Sequence, residues 1–183
     1  MRSGSLPGGR VAAYLKRVAL LAAVLALSLA ATTPAQGAVA VMIVSKQSGK
    51  CLDVAGYGTH DGANVWLWTC HGGSNQRWIF GKVYGDPPFY WIKNVHSNKC
   101  LTVSGGGLAN GTDIVISTCA GAAHQKWWLG YTSAPSYYHH QPKHANHASC
   151  MDVAWGDTFD GADVWQWSCH WPYAPNQEWM TVV

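Results

Sequence analysis

Three short stretches of the chain alternate with a period of two: Val65-Trp66-Leu67-Trp68, Ile114-Val115-Ile116-Ser117 and Val164-Trp165-Gln166-Trp167. A turn dipeptide precedes each one, Asp61-Gly62, Asn110-Gly111 or Asp160-Gly161, so each reads as a short strand entered from a tight turn. Alternation puts Val65, Leu67, Ile114, Ile116 and Val164 on one face, the core side, and turns Trp66, Trp68, Trp165 and Trp167 the other way. After residue 40 no window holds a helical apolar stripe bounded by caps, so the pattern predicts an all-β chain rich in turns.

The N-terminal segment has a different pattern. Val18 to Ala31 is a run of 14 apolar or small residues behind Arg2, Arg10, Lys16 and Arg17, and small residues and Pro34 follow it. A spanning helix needs about 20 such residues, whereas this length and these flanks fit the apolar region of a cleaved export signal. The expectation is a signal peptide over residues 1–40, cut near 37–40, with Ala38-Val39-Ala40 fitting the small-residue rule. The exported remainder, 41–183, is about 143 residues, enough for one domain. No later stretch is suited to membrane insertion.

Charge changes the picture once it is divided along the chain. The formal net charge is +3, but four of the 12 basic residues lie in the leader and all nine acidic residues lie after residue 40. The exported part therefore carries eight basic against nine acidic residues, a net of −1. Such a body has no stripe of cations to neutralise phosphates, which argues against nucleic acid and against a polybasic membrane patch.

Export implies an oxidising compartment, and the cysteines match it. Cys51 and Cys70, Cys100 and Cys119, and Cys150 and Cys169 are each separated by 19 residues. Equal spacing means a repeat, and of the many pairings that six cysteines allow, a unit with two cysteines favours the three internal bridges. Much else falls into register. The copies read CLDVAGYGTHDGANVWLWTCHGGSNQRW from Cys51, CLTVSGGGLANGTDIVISTCAGAAHQKW from Cys100 and CMDVAWGDTFDGADVWQWSCHWPYAPNQEW from Cys150. Each closes on Q-x-W, at Gln76-Arg77-Trp78, Gln125-Lys126-Trp127 and Gln177-Glu178-Trp179, with separations of 49 and 52 residues. The units cover about 41–82, 90–130 and 137–183, with Gly/Pro-containing linkers between them. One unit is too small to bury a core, so three must share one.

The C-L/M-D-V start, the cysteine interval and the three Q-x-W closings resemble the ricin B-chain type lectin repeat, shared with the family 13 carbohydrate-binding modules. The resemblance covers essentially the whole exported chain. It implies a β-trefoil of three pseudo-threefold lobes and 12 short strands, with Trp78, Trp127 and Trp179 packed inside and a potential sugar pocket in each lobe.

The chemistry such a pocket needs can be stated independently. A pyranose offers a C–H face and a rim of hydroxyls, so a site needs a flat aromatic surface with a few fixed donors and acceptors. A carboxylate accepts from two neighbouring hydroxyls, and an Asn amide both donates and accepts. In the first copy these parts are Asp53, Trp68 and Asn75; by the family's motif, Gln76 braces the aspartate and His71 adds a hydrogen bond. The third copy repeats the set with Asp152, Trp167, His170, Asn176 and Gln177. In the second copy Thr102, Ser117, Ala120 and His124 stand at the corresponding positions, although Cys100, Cys119, Gln125 and Trp127 persist. Two sites are expected, not three. Trp66 and Trp165 have no counterpart in the family motif, and either extend the aromatic platform or cover the bridges.

The run Tyr137-Tyr138-His139-His140-Gln141-Pro142-Lys143-His144-Ala145-Asn146-His147 departs from the repeat, since it occupies the place of the strand segments Met42–Val44 and Trp91–Lys93. Imidazoles favour zinc, copper or nickel, but without metal-ligand spacing the expectation here is a long irregular loop and no metal. Catalysis is not expected either. A glycosidase needs two carboxyl groups about 5–10 Å apart, whereas the chain has a single glutamate, Glu178, and its two prominent aspartates lie in different lobes. All six cysteines are assigned to bridges, and no hydrolase or phosphate-loop motif occurs. The sequence reading is a secreted, extracellular, monomeric lectin for glycans or polysaccharides, of galactose or xylose type, without cofactor. The rival is a secreted trefoil that binds proteins, such as a protease inhibitor.

Overall fold

The computed structural model describes Met1 and residues 38–183 apart from Pro87 and Ser133. The expected signal peptide lies almost wholly outside the described residues.

Each lobe contributes four strands. Lobe one has β1 (Ala40–Ser45), β2 (Cys51–Val54), β3 (Ala63–Trp68) and β4 (Trp78–Lys82), and lobe two has β5 (Tyr90–Asn94), β6 (Cys100–Val103), β7 (Thr112–Ser117) and β8 (Trp127–Tyr131). Lobe three has β9 (Tyr138–Pro142), β10 (Ser149–Val153), β11 (Val164–Ser168) and β12 (Trp179–Val182). Among the described residues the remaining regular structure is short 3-10 turns, and no helix is long and apolar enough to cross a membrane.

Strands β1, β4, β5, β8, β9 and β12 pair antiparallel in a closed ring. The hairpins β2–β3, β6–β7 and β10–β11 cap that barrel. They join one another through β3–β7, β7–β11 and the Trp66–Asp163 bridge. A six-stranded barrel with a triplet of hairpins is a β-trefoil, and closing the ring leaves the barrel strands without open edges.

The core follows from the alternation. Val65, Leu67, Ile114, Ile116 and Val164 are buried, and the three Q-x-W tryptophans have no exposed surface. Burying an indole N–H requires an acceptor. Trp78 donates to the carbonyl of Leu52, Trp127 to that of Leu101 and Trp179 to that of Met151, each at 3.0 Å. One disulfide per lobe, Cys51–Cys70, Cys100–Cys119 and Cys150–Cys169, ties the start of the second strand to the end of the third.

The histidine-rich run corrects the expected irregular loop. Residues 138–142 form β9, five residues in register with β8 and one with β12, and His139 and His140 are buried. Pro142 is tolerated because it ends the strand, where its missing N–H breaks no ladder. The irregularity is confined to the turn after it, where Asn146 and His147 adopt positive φ. No group of three or more metal-ligating side chains occurs among the described residues.

Candidate carbohydrate-binding sites

In lobe one, Leu52 and Val54 of β2 face the core, so Asp53 between them faces the opposite way. Its cross-strand partner is Trp66 on β3, whose indole N–H donates to Asp53 Oδ1 at 3.0 Å. Two residues along β3 on the same face, Trp68 stacks on Trp66 with ring centroids 5.2 Å apart and planes at 26°. The 3-10 turn Ser74–Gln76 completes the set. Asn75 Nδ2 donates to Asp53 Oδ2 at 2.8 Å and Gln76 Nε2 donates to the same oxygen at 3.0 Å. His71 Nε2 stands 3.5 Å from it. Asp53, Trp66, Trp68, His71 and Asn75 line one cavity of about 380 Å³, with Gly56 and Tyr57.

Lobe three repeats this construction. Asp152 Oδ1 accepts from Trp165 Nε1 at 2.9 Å, and Oδ2 accepts from Asn176 at 2.8 Å and Gln177 at 2.7 Å. Trp167 stacks on Trp165 at 5.1 Å and 27°. Asp152, Trp165, Trp167, His170 and Asn176 line a cavity of about 200 Å³, and Trp155 adds a further wall.

Gln76 and Gln177 lie behind the aspartates with no exposed surface. Besides gripping the carboxylate, Gln76 donates to the Thr69 carbonyl and accepts from the backbone N–H groups of His71 and Gly72. Gln177 does the same with Ser168 and His170. Both amides are therefore braces that orient the carboxylate, and neither lines its cavity.

This bracing limits what the aspartates can accept. A carboxylate offers about four lone-pair positions. Two donors fill Oδ2 and one indole N–H occupies half of Oδ1, so each buried carboxylate keeps a single open position, not the two that a pair of neighbouring hydroxyls would use. Burial raises the Asp152 carboxyl above the usual range, while hydrogen bonds from Gln177 and Trp165 and the nearby His170 pull it back.

Lobe two has been rebuilt from the same positions. Ser117 Oγ donates to Thr102 Oγ1 at 2.8 Å, and Gln125 Nε2 contacts both hydroxyls and the Thr118 carbonyl. The polar groups satisfy one another with no acid and no exposed indole. Glu178, the only glutamate, is fully buried and ion-paired with Lys46, outside both cavities.

The candidate residues of each lobe thus come together around the aspartate. A family model described as "Ricin-type beta-trefoil lectin domain-like" matches residues 29–117 and 74–167. The chain belongs to this ricin-type β-trefoil lectin family. Among solved structures, the designed threefold-symmetric protein ThreeFoil superposes with a TM-score of 0.73 at 31% identity, covering 79% of this chain and 98% of its own. The exo-β-1,3-galactanase 1,3Gal43A of Clostridium thermocellum gives a TM-score of 0.72 at 29% identity, covering 79% of this chain but only 30% of the enzyme. A curated relative, "Probable lipoprotein EnvE" of Salmonella typhimurium, is 52% identical over 33 residues, 18% of this chain and 19% of that protein.

Four aromatic lining residues go beyond the sequence expectation. Trp66 and Trp165, left open between two roles, are cavity walls bonded to the aspartates. Tyr57 and Trp155 escaped notice because they lie in the glycine-rich turn after the C-x-D-V strand, at different register positions in the two lobes. The available signal was an aromatic where lobe two has Gly105-Gly106.

Proposed function

We propose that this protein is a secreted, non-catalytic lectin that binds sugars reversibly in two sites, one in lobe one and one in lobe three. The observation that carries the reading is the recurrence of one constellation, a braced aspartate beside stacked indoles and an Asn amide, in two of three lobes. Lobe two is the internal control: it keeps the fold without those groups. An exposed indole stacks on the C–H face of the sugar, the open lone pair of the aspartate takes one hydroxyl, and His71 or His170 and the Asn amide frame the rim. Single shallow sites of this kind bind weakly, and two on one rigid body gain avidity on a repeating polysaccharide if their spacing fits. Galactans lead the search, given the galactanase neighbour, with xylans next. Export would follow cleavage near residues 37–40; since Ala40 pairs with Ile79 in the barrel, cleavage after Gly37 or Ala38 keeps β1 whole.

The test is a glycan and polysaccharide screen of the oxidised protein beside a Trp68→Ala/Trp167→Ala double variant. Binding lost in a still-folded double variant supports the reading. Binding that persists moves the site elsewhere, and no binding over a broad panel makes a protein partner the better explanation.

A further inference from the structure

Tyr57 and Trp155 share a conformation that side chains rarely adopt. Tyr57 has φ 58° and Trp155 has φ 57°, in the left-handed region that disfavours any residue with a Cβ, bulky ones most. The register of the repeats makes this informative. Each lobe has two successive left-handed positions after its second strand: Gly56-Tyr57, Gly105-Gly106 and Trp155-Gly156. Lobe two, which lacks the braced aspartate, fills both with glycine. Each lobe with a braced aspartate spends one of them on a large aromatic that lines the cavity beside it. Strain retained in the lobes that keep the braced aspartate, and absent from the lobe that has Thr102 in its place, points to function.

The two aromatics build different walls, because they occupy different positions of the pair. Tyr57 sits against His71 and His96, with centroids at 6.4 Å and 5.2 Å. A Cβ on Gly73 would fall 2.5 Å from the Tyr57 hydroxyl and 2.9 Å from Asn75 Oδ1, so glycine there lets the phenol reach the amide end of the site. Asn75 Oδ1 is buried with no partner. The lobe-one wall is therefore polar. Trp155 is 81% exposed and stands at 71° to Trp165 and 54° to Trp167, with centroids 5.3 Å and 6.4 Å away. The lobe-three wall is a corner of three indoles.

We infer that the two lobes read different sugar residues and that Tyr57 and Trp155 set the difference. Lobe one takes a residue bearing a hydroxyl on the edge that faces Tyr57. Lobe three takes a residue with an apolar substituent there, an acetamido or deoxy methyl group, which packs into the indole corner. This rests on the reading of both cavities as sugar sites.

Single-site proteins separate the lobes: Trp167→Ala leaves lobe one, Trp68→Ala leaves lobe three. Each is profiled on an array that carries hexoses beside their N-acetylamino and 6-deoxy counterparts. The expected result is a preference for the methyl-bearing counterpart about fourfold greater in the Trp68→Ala protein, the worth of one buried methyl. Adding Trp155→Gly to that protein abolishes the preference while its melting temperature holds or rises. Identical profiles, or a preference that survives Trp155→Gly, overturn the inference and leave the two-site reading standing. Absence of binding by the unaltered protein overturns both.

Discussion

Asp53 and Asp152 each hold three side-chain donors with only 3% of their surface exposed. They are thus structural as well as cavity-lining. Asp53→Ala strands the Trp66 indole N–H and the Asn75 and Gln76 amides, and we predict a loss of about 3 kcal/mol in urea denaturation. Trp68→Ala, at a residue 37% exposed, should cost far less, which makes the tryptophans the cleaner probes of binding. The raised Asp152 carboxyl carries a pH signature. Because folding raises its proton affinity, its contribution to stability is present below the ordinary carboxylate range and is lost as pH rises through the raised value. The proposed sugar binding runs the other way, since it would use the ionised oxygen as acceptor. The Trp68→Ala protein should lose affinity on acidification while the pH is still above the usual Asp range, in a titration from about pH 7 to about pH 4. Unchanged affinity down to the ordinary range would contradict this.

At the scale of elements, the turn dipeptides that announce β3, β7 and β11 also lock the lobes together. Asp61 accepts from the Thr118 backbone N–H at 2.8 Å, Asn110 from Ser168 at 2.8 Å and Asp160 from Thr69 at 2.7 Å, so each lobe grips the next around the ring. Lys99 joins Asp61 and Lys50 joins Asp160, which lowers both carboxyls. In lobe three Ser149, the cross-strand neighbour of Ser168, replaces the lysine, and its partner turn carries the neutral Asn110. The acceptor oxygen is thus retained in every lobe, while the charge appears only where a lysine answers it. Asp61→Asn and Asp160→Asn should therefore leave the melting temperature nearly unchanged, and the Ala variants should lower it. These turns were legible as strand entries because Asp-Gly and Asn-Gly have local turn chemistry; their grip on the next lobe was not, since it depends on how the repeats close. β9 was misread for a related reason: composition made His139, His140 and Pro142 look like a loop, whereas the barrel needs a strand between β8 and β12 to close.

For the whole molecule, the threefold repeat made the fold readable, since cysteines, Q-x-W closings and core positions recur at fixed spacing. The aspartate, platform and amide positions of the candidate sites were readable for the same reason. What stayed hidden breaks the repeat: Tyr57 and Trp155 lie one register position apart, and the saturation of the carboxylates appears only when the donors are seen together. The bridges each close a loop with a sequence separation of 19 residues, worth about 3 kcal/mol on the loop-entropy model, so reduction should lower the melting temperature substantially. A calorimetric titration with the monovalent sugar chosen by the screen tests the central claim most directly. We predict two sites per chain of unequal affinity in the unaltered protein, one in each of the Trp68→Ala and Trp167→Ala variants and none in the double variant. Three sites in the unaltered protein, or binding retained in a folded double variant, would contradict it.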